Sequence, residues 1–350
     1  MKEEAIVGCI LGTAVGDALG LPYEGVSPRR ARRLFKRPDK HHFLFGHGMV
    51  SDDTEHTCFV AQALLRGGSD PDAFEKYLAR SLRWWLLGLP AGMGLATLKS
   101  IIRLWIGFPP SKSGIFSAGN GPAMRSALLG VLYGEHPDEL PLFVERSTRL
   151  THTDPKAHYG ALTVALAAHC AASHDHTDPN DFLGLLRKYL QDDDADQLLA
   201  LLQQAVEAAT RHVSVGDFAE SIGCKRGISG YINHTVPCVI QAWLSFQDNF
   251  EKGILEIISA GGDTDTTGAI LGAIIGARVG KKGIPANWLN GLVEWPRTIT
   301  WMERLGKRMA RQHQSPTGSV PYPVIGCLPR NAFFALVVIL HGFRRLLPPY

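Results

Sequence analysis

The sequence predicts an all-α fold, organised as a single compact domain of ten or more helices. No stretch of the 350 residues sustains the period-two alternation of apolar and polar residues that is typical of strands. Apolar residues recur instead every three or four positions, as at Cys58, Ala61, Leu64 and Leu65. A composition of 45% hydrophobic and 20% charged residues is typical of globular proteins, and no tandem repeat is visible.

Two predicted helices carry glycine at every fourth position. They are residues 3–20 and a helix that begins near residue 264, which has no proline before residue 285. Glycine in a helix costs roughly 1 kcal/mol relative to alanine, so a regular glycine ridge indicates close approach of another backbone. We expect the two helices to pack ridge to ridge at the centre of the fold and to bring Asp17 and Glu24 near Asp263 and Asp265. The ridges are Gly8, Gly12, Gly16 and Gly20, and Gly268, Gly272, Gly276 and Gly280.

A basic run follows the first helix. Ser27 and Pro28 are typical of a helix start. We interpret the run as a solvated helix face, with a docking patch for an acidic partner as the alternative. It has no interleaved aromatic residues for base stacking, and a net charge of +3 does not indicate a nucleic-acid partner. The run consists of Arg29, Arg30, Arg32, Arg33, Lys36, Arg37 and Lys40.

The rest of the body is read as further helices. Trp84, Trp85 and Trp105 are expected in the core, and Pro237 is expected to kink or shift its helix. Gly67 and Gly68 end the helix that starts near residue 54. The other predicted helices cover residues 71–106, a segment from 123, and residues 157–172, 197–211, 231–247, 250–260 and 296–311.

The domain is expected to cover residues 1–311, with a proline-containing loop and an apolar helix in residues 312–350. The terminal apolar run, residues 332–340, is shorter than the roughly 18 residues of a spanning helix, so no transmembrane segment is predicted. We expect this helix to dock on the body, with attachment to a membrane surface as the alternative. The N-terminus lacks the basic start of a signal peptide, and the six cysteines show no CxxC spacing, which predicts a cytoplasmic protein.

Two clusters of hydroxyls and carboxylates each precede an apolar helix. One contains Ser51, Asp52 and Asp53, and the other contains Asp263, Asp265 and Thr266. Either one alone is explained by helix capping, because Asp, Ser and Thr are common N-cap residues. Two such clusters indicate the halves of one site for two cations, because crowded carboxylates repel one another. Oxygen ligands suit Mg²⁺ or Mn²⁺.

Two further segments are candidates for ligand contacts. Residues 109–122 form a loop that includes Gly119, Asn120 and Gly121 and leads into a helix. Such a loop can present N–H groups to phosphate, but a plain turn is the alternative, because neither a Walker A nor a Rossmann pattern is present. His152, between two threonines, is read from the sequence alone as a core or capping histidine.

Five segments together resemble the ADP-ribosylglycohydrolase family. They are residues 12–24, 51–57, 119–125, 151–153 and 261–266, in that order, and the resemblance runs from about residue 3 to residue 311. The two acidic motifs are specific, and the Gly-Asn-Gly loop adds moderate weight. The chain departs from the family pattern at Ser51, where threonine is more common. A serine hydroxyl can still ligate a cation.

The resemblance implies an all-helical enzyme with two Mg²⁺ (or Mn²⁺) ions in a cleft. It would hydrolyse the bond between ribose C1 and an acceptor side chain, most commonly arginine, of an ADP-ribosylated protein and release ADP-ribose. The implied metal ligands are Ser51, Asp52, Asp53, Asp263, Asp265 and Thr266. Glu24 would be a mobile acidic residue near the metals, and Ser117, Gly119, Asn120, Gly121 and His152 would contact the substrate.

Two questions stay open at this point. The general base could be Asp53, Asp52 or Glu24, with Glu24 and Asp53 taken as the catalytic pair. The main alternative function is a non-catalytic ADP-ribose-binding or structural protein on the same fold. Against it, a binder does not need to keep all four aspartates. Another metal-dependent hydrolase, such as a phosphoesterase, would leave the Gly-Asn-Gly and Thr-His-Thr segments unexplained.

Overall fold

A computed structural model describes residues 2–35, 37–312, 316 and 318–348 of the chain. Lys36 of the basic run lies outside these residues. Within them the chain folds into seventeen α-helices joined by loops and short 3₁₀ turns. The helices are α1 Lys2–Gly20, α2 Pro28–Phe35, α3 Asp52–Gly67, α4 Pro71–Leu87, α5 Leu95–Trp105, α6 Ala127–Tyr133, α7 Glu139–Arg149, α8 Pro155–Ser173, α9 Pro179–Tyr189, α10 Asp196–Thr210, α11 Val215–Ser221, α12 Ile232–Ser245, α13 Phe250–Ser259, α14 Thr264–Gly283, α15 Ala286–Asn290, α16 Ile299–Gln312 and α17 Cys327–Arg345.

The predicted all-α class is confirmed. Extended pairing in the described part of the chain is limited to isolated bridges, with no strand around them. Three of these bridges join loops at one end of the molecule: Ile115 with His152, Gly119 with Tyr231, and Ile228 with Gly262. They hold together the loops that carry the candidate site.

An antiparallel pair of glycine-ridged helices, α1 and α14, forms the centre of the fold. A Cβ atom built on Gly12 would lie 2.0 Å from the carbonyl oxygen of Gly272, and one on Gly272 would lie 2.2 Å from that of Gly12. Gly8 faces Gly276 and Gly16 faces Gly268 in the same manner. The predicted ridge-to-ridge contact is therefore found. Around this pair, α1 also packs on α16, α3 and α6, while α14 packs on α13, α8 and α12.

Some predicted elements need correction. The single helix predicted over residues 71–106 is two helices, α4 and α5, separated by a loop with three glycines. Trp85 is buried as predicted, but Trp84 and Trp105 are exposed and pack edge to face on each other. Pro237 lies inside α12, which is Ile232–Ser245 and continues past it. Helices α7, α9, α11 and α15 were not predicted.

The C-terminal helix is longer than the nine-residue apolar run suggested, because α17 begins at Cys327, inside the predicted loop, and continues to Arg345. Before it, residues 319–323 pack on the body. Val320 is buried and its N–H donates to Oε1 of Gln62 at 2.8 Å. The predicted end of the domain at residue 311 is not tested by these contacts and stays a prediction.

Two helical segments among the described residues are long and apolar enough to cross a membrane. Lys2–Tyr23 is buried over its whole apolar window, as expected for the core helix that it is. Val324–Arg345 is only 22% buried. The sequence predicted no transmembrane segment because the apolar run of residues 332–340 is short. The helical segment that contains this run is long enough to span a membrane, so its length does not support that prediction.

Candidate functional site

The first acidic cluster begins α3, and Asp17 of α1 holds it in place. Ser51 is the N-cap residue, and its Oγ accepts a hydrogen bond from the N–H of Asp53. The buried carboxylate of Asp17 accepts from the N–H of Ser51 at 2.9 Å and from the hydroxyl of Thr54 at 2.5 Å. Acceptors at a helix start satisfy N–H groups that have no partner within the helix. Asp17 thus fixes the direction in which Asp52 and Asp53 leave the helix.

Asp53 connects the first cluster to the second. Its Oδ2 accepts from Ser51 Oγ at 3.0 Å and from Thr266 Oγ1 at 3.3 Å. Its Oδ1 is buried and has no hydrogen-bond partner among the described residues. A buried carboxylate oxygen without a donor is costly, so Oδ1 is well suited to ligate a cation.

Three more carboxylates converge at the start of α14. One oxygen from each of Glu24, Asp263 and Asp265 lies within 4.8 Å of the others. The turn that carries Glu24 is joined to the second acidic motif, because the N–H of Gly25 donates to the carbonyl of Gly262 at 2.7 Å. Oxygens at this spacing suit a hard divalent cation.

These carboxylates sit in surroundings that disfavour their charged forms. Burial, with the charges of Asp17, Glu24 and Asp263, raises the pKa of Asp52 to about 8. Burial, then the charges of Glu24 and Asp263, holds the pKa of Asp265 well above its ordinary value. A bound divalent cation would remove this repulsion, since an ion is the largest local charge in such a site. The donor set therefore fits Mg²⁺ or Mn²⁺.

The Gly-Asn-Gly loop lies directly on the second acidic motif. Asn120 donates through Nδ2 to Oδ2 of Asp263 at 2.7 Å and to Oγ1 of Thr235 at 3.0 Å. A Cβ atom at Gly119 would lie 3.0 Å from Nε2 of His152, and one at Gly121 would lie 3.1 Å from its Cε1. Glycine at both positions therefore lets the loop lie against the imidazole. Asn120 positions a candidate metal ligand.

A buried polar network that includes Arg125 and Thr151 holds His152 in position. Arg125, which is fully buried, donates through Nη2 to Oγ1 of Thr151 at 2.7 Å and through Nη1 to the carbonyl of Gly121 at 3.2 Å. Oγ1 of Thr151 lies 2.9 Å from Nδ1 of His152. Burial, and then the charge of Arg125, lowers the pKa of His152 to about 3. The imidazole is therefore neutral at neutral pH.

This lowered pKa predicts an acid-sensitive contribution to stability. Between pH 6.5 and about 3 the unfolded chain binds a proton at His152 that the folded chain does not. Stability should therefore fall as pH drops through this window, by up to about 1.4 kcal/mol per pH unit. We expect His152→Gln to flatten the dependence, measured as urea unfolding free energies at pH 7 and pH 5. The same change at exposed His176 should leave the slope unchanged. Parallel slopes for wild type and His152→Gln would contradict the assignment.

A cleft of 690 Å³ opens over these groups, a size typical of small-molecule sites. Ten of the predicted site residues line it. Ser51 and Asp53 do not, being buried beside Thr266. A second cleft, of 590 Å³, lies beside Trp85 and Tyr322 and has no carboxylate among the described residues that line it. The lining residues of the first are Glu24, Asp52, Ser117, Gly119, Asn120, Gly121, His152, Asp263, Asp265 and Thr266.

Sequence reasoning missed two segments of this cleft: Gly92 and Gly94 with the start of α5, and the loop of residues 226–230. The second meets the acidic motif through a close backbone contact at Gly227, which the structure shows and the sequence does not. Gly227 adopts φ +115°, and a Cβ there would lie 2.4 Å from the amide nitrogen of Gly262. Glycine is thus required where this loop meets the acidic motif. Arg125 lies in the segment 119–125 that resembles the family, but the sequence predicted no role for it.

Two arginines of α17 also contact segments next to the site. Arg330 donates to the carbonyl of Val50 at 2.5 Å, directly before Ser51. Arg345 donates to the carbonyl of Pro22 at 3.2 Å, and its charge opposes the rise that burial causes in the pKa of Glu24. No local pattern marks either arginine, since their partners are 280 and 323 positions away in the sequence.

Comparison with known proteins gives consistent matches. The profile of the ADP-ribosylglycohydrolase family matches residues 1–318. An uncharacterized protein of Archaeoglobus fulgidus is 33% identical, covering 89% of this chain and 97% of its own length. The ADP-ribosyl-(dinitrogen reductase) glycohydrolase of Rhodospirillum rubrum is 26% identical, and the match covers 83% of this chain and 90% of that protein. ADP-ribosylarginine hydrolase Tri1 of Serratia proteamaculans is 25% identical, and the match covers 85% of this chain and 78% of that protein. A solved structure, described as an ADP-ribosylglycohydrolase-related protein complex, matches with TM-score 0.69 and 27% identity, covering 89% of this chain and 99% of that one.

Proposed function

Because the chain belongs to the ADP-ribosylglycohydrolase family, we propose that it removes ADP-ribose from a modified arginine side chain of a protein. The resemblance seen in the motifs is confirmed by the family match over residues 1–318, and the named relatives are hydrolases of ADP-ribosyl bonds. Arginine as the acceptor is the finer part of the proposal. It is supported by the name of the Serratia relative.

The main support for the proposal is that a cluster of carboxylates and a glycine-containing loop contact each other in one cleft. Glu24, Asp263 and Asp265 converge within 4.8 Å, and Asn120 of the loop donates to Asp263. A loop of this kind can present N–H groups to a diphosphate, and we propose that the ribose bond is cleaved beside the acidic groups. A binder of ADP-ribose would gain nothing from four buried or half-buried carboxylates, each of which repels an anionic ligand.

We propose two Mg²⁺ (or Mn²⁺) ions as cofactors. Asp52, Asp53 with Ser51, and Asp263 and Asp265 with Thr266 would hold them. When bound, the ions would neutralise the carboxylates, orient ribose hydroxyls and lower the pKa of water. Support for this comes from the orphaned Oδ1 of Asp53 and from the cluster of three carboxylates.

We propose Glu24 rather than Asp53 as the general base, and we keep Asp52, which also lines the cleft, as a metal ligand. Glu24 is exposed and lines the cleft, whereas Asp53 is buried and its Oδ2 already accepts from Ser51 and Thr266. We assign to Glu24 the removal of a proton from the attacking water. The water oxygen bonds to ribose C1 as the bond from C1 to the guanidine nitrogen breaks, and Glu24 passes the proton taken from water to the departing nitrogen.

The substrate residues would act by orientation. The loop from Ser117 to Gly121 is proposed to bind the diphosphate and distal ribose, but not through the N–H of Asn120, which donates to the carbonyl of Gly230 at 3.0 Å. His152, neutral at neutral pH, can hydrogen-bond a hydroxyl or phosphate oxygen without changing the charge of the cleft. The proposed partners are thus an ADP-ribosylated protein and free ADP-ribose as product. A cytoplasmic location fits the six cysteines, which are all free and mostly buried.

The proposal is tested by incubating the purified protein with peptides mono-ADP-ribosylated on arginine, serine or cysteine. Free ADP-ribose is measured by chromatography, with Mg²⁺, with Mn²⁺ and with excess chelator. We expect release from the arginine peptide in the presence of metal only. Release from serine or cysteine alone would overturn the acceptor assignment but keep the hydrolase. Binding of ADP-ribose by calorimetry without release from any peptide would favour a non-catalytic binder.

A further inference from the structure

The C-terminal helix α17 is apolar on both its inner and its outer side. It buries Phe334 and Val337 together with Arg330 and Asn331, and its exposed apolar positions recur with helical spacing. An ordinary surface helix turns a polar side to water instead. The exposed apolar residues are Leu328, Ala332, Leu336, Ile339, Leu340 and Phe343, preceded by Val324 and Ile325.

Polar contacts along the inner side fix this orientation. Arg330 forms a buried ion pair with Glu294, with Nη2 and Oε2 2.7 Å apart. His341 contacts the carbonyl of Phe43 at 2.5 Å, and Arg345 donates to the carbonyl of Pro22 at 3.2 Å. Rotating α17 to bury its apolar side would break these contacts and leave a buried carboxylate unpaired. The outward apolar surface is therefore built into the docked position of the helix.

A neighbouring turn extends the apolar surface. Phe45 is 99% exposed at the tip of the turn that pairs Leu44 with His47. The turn is attached to α17, because Phe43 packs on Phe334 and stacks on His341. Because Phe45 is exposed next to the apolar side of α17, it enlarges the exposed apolar patch. Large patches of this kind are unusual on surfaces that only face water.

The same surface has a basic border. Helix α2 packs against the end of α17 through Phe35 and His341, and the Arg30 side chain donates to the carbonyl of Arg345. Arg29 and Arg32 of α2 and Arg344 of α17 are exposed there. Neither helix contains an acidic residue. The basic run predicted as a solvated helix face thus adjoins an apolar helix.

We propose that α17, the Phe45 turn and α2 form a surface that binds an anionic lipid bilayer, with α17 lying in the plane of the interface. Apolar side chains would enter the acyl boundary, and the arginines would face lipid phosphates. Charge selects this occupant over a second copy of the chain, because two-fold pairing of the patch would bring like-charged arginines together. A spanning orientation is disfavoured, because Arg330, Asn331, His341 and Arg345 would have to leave their partners for hydrocarbon.

The test is co-sedimentation of the full-length protein with vesicles of phosphatidylcholine, alone or mixed with phosphatidylglycerol. We expect binding to the mixed vesicles and its loss at high salt. Ile339→Asp should lower the bound fraction roughly tenfold or more by removing apolar insertion. Arg32→Glu should lower it by roughly fivefold. Matched controls are Ile102→Asp on α5 and Arg187→Glu on α9, also exposed, which should bind as wild type does.

Three outcomes would overturn the proposal. One is no binding to anionic vesicles, or equal binding by Ile339→Asp and wild type. Another is a concentration-dependent dimer, seen by light scattering, that Ile339→Asp dissociates while vesicles bind nothing. The third is resistance of bound protein to alkaline carbonate extraction, which would indicate spanning. Unchanged thermal unfolding of each variant shows that the fold is intact. Hydrolysis of a soluble substrate is a separate readout, so failure here leaves the proposed activity untouched.

Discussion

Asp265→Asn is expected to reduce ADP-ribose release by at least about 100-fold at fixed Mg²⁺. Losing a residue that merely orients a metal ligand already costs roughly 10–100-fold, and Asp265 is proposed to be a ligand itself. The same change should leave the metal-free protein folded and more stable than wild type, because it removes a carboxyl group whose charged form is disfavoured by burial and by Glu24 and Asp263. Initial rates against Mg²⁺ concentration, together with melting temperatures with and without Mg²⁺, measure both effects.

Matched variants separate loss of metal from loss of fold. Asp194→Asn makes the same change at an exposed aspartate outside the cleft, and it should keep wild-type rates and the wild-type shift in melting temperature on adding Mg²⁺. Glu24→Gln should lower turnover while keeping more of that shift than Asp265→Asn does. Chelation should abolish release, and added Mg²⁺ should restore it. Full activity of the wild type in excess chelator, or of Asp265→Asn, would show that hydrolysis does not depend on this cluster.

The position of the acidic residues could be predicted because the features that place them are local or periodic. Ser51 caps the helix that it precedes in the sequence, as its side chain and the following apolar stripe indicate. The four-residue glycine spacing places α14 against α1, and this contact brings Thr266 within 3.3 Å of Asp53, 213 positions earlier. A regular ridge thus predicted a long-range contact that capping patterns alone could not.

Other parts of the site depend on contacts that leave no periodic trace. Trp84 and Trp85 are adjacent on α4, and only the packing of neighbouring elements decides that Trp85 is buried while Trp84 is exposed. Arg345 reaches Pro22, beside Glu24, from the far end of the chain. The outward apolar side of α17 could not be predicted either, since an apolar run normally predicts burial. Tertiary contacts override local preference at each of these positions.

Gly12→Ala is expected to destabilise the fold by about 3 kcal/mol, the upper end of the range for overpacked cores. The added Cβ would lie 2.0 Å from the carbonyl oxygen of Gly272 and 3.2 Å from the Cα of Gly276. Both neighbours are backbone atoms of a buried helix, so no side-chain rotation can relieve the contact, and α1 must separate from α14. Separation would also pull Asp53 from Thr266. Urea unfolding followed by circular dichroism measures the loss.

Gly184→Ala provides a control with the opposite sign. Gly184 lies within α9, and a Cβ there would meet nothing within 4 Å. Alanine should therefore raise stability by about 0.5–1 kcal/mol through helix propensity alone. Gly272→Ala should behave like Gly12→Ala, because its Cβ would lie 2.2 Å from the carbonyl oxygen of Gly12. If Gly12→Ala and Gly272→Ala unfolded at the wild-type urea concentration, the α1–α14 backbones could not be as close as described, and the ridge would need another explanation.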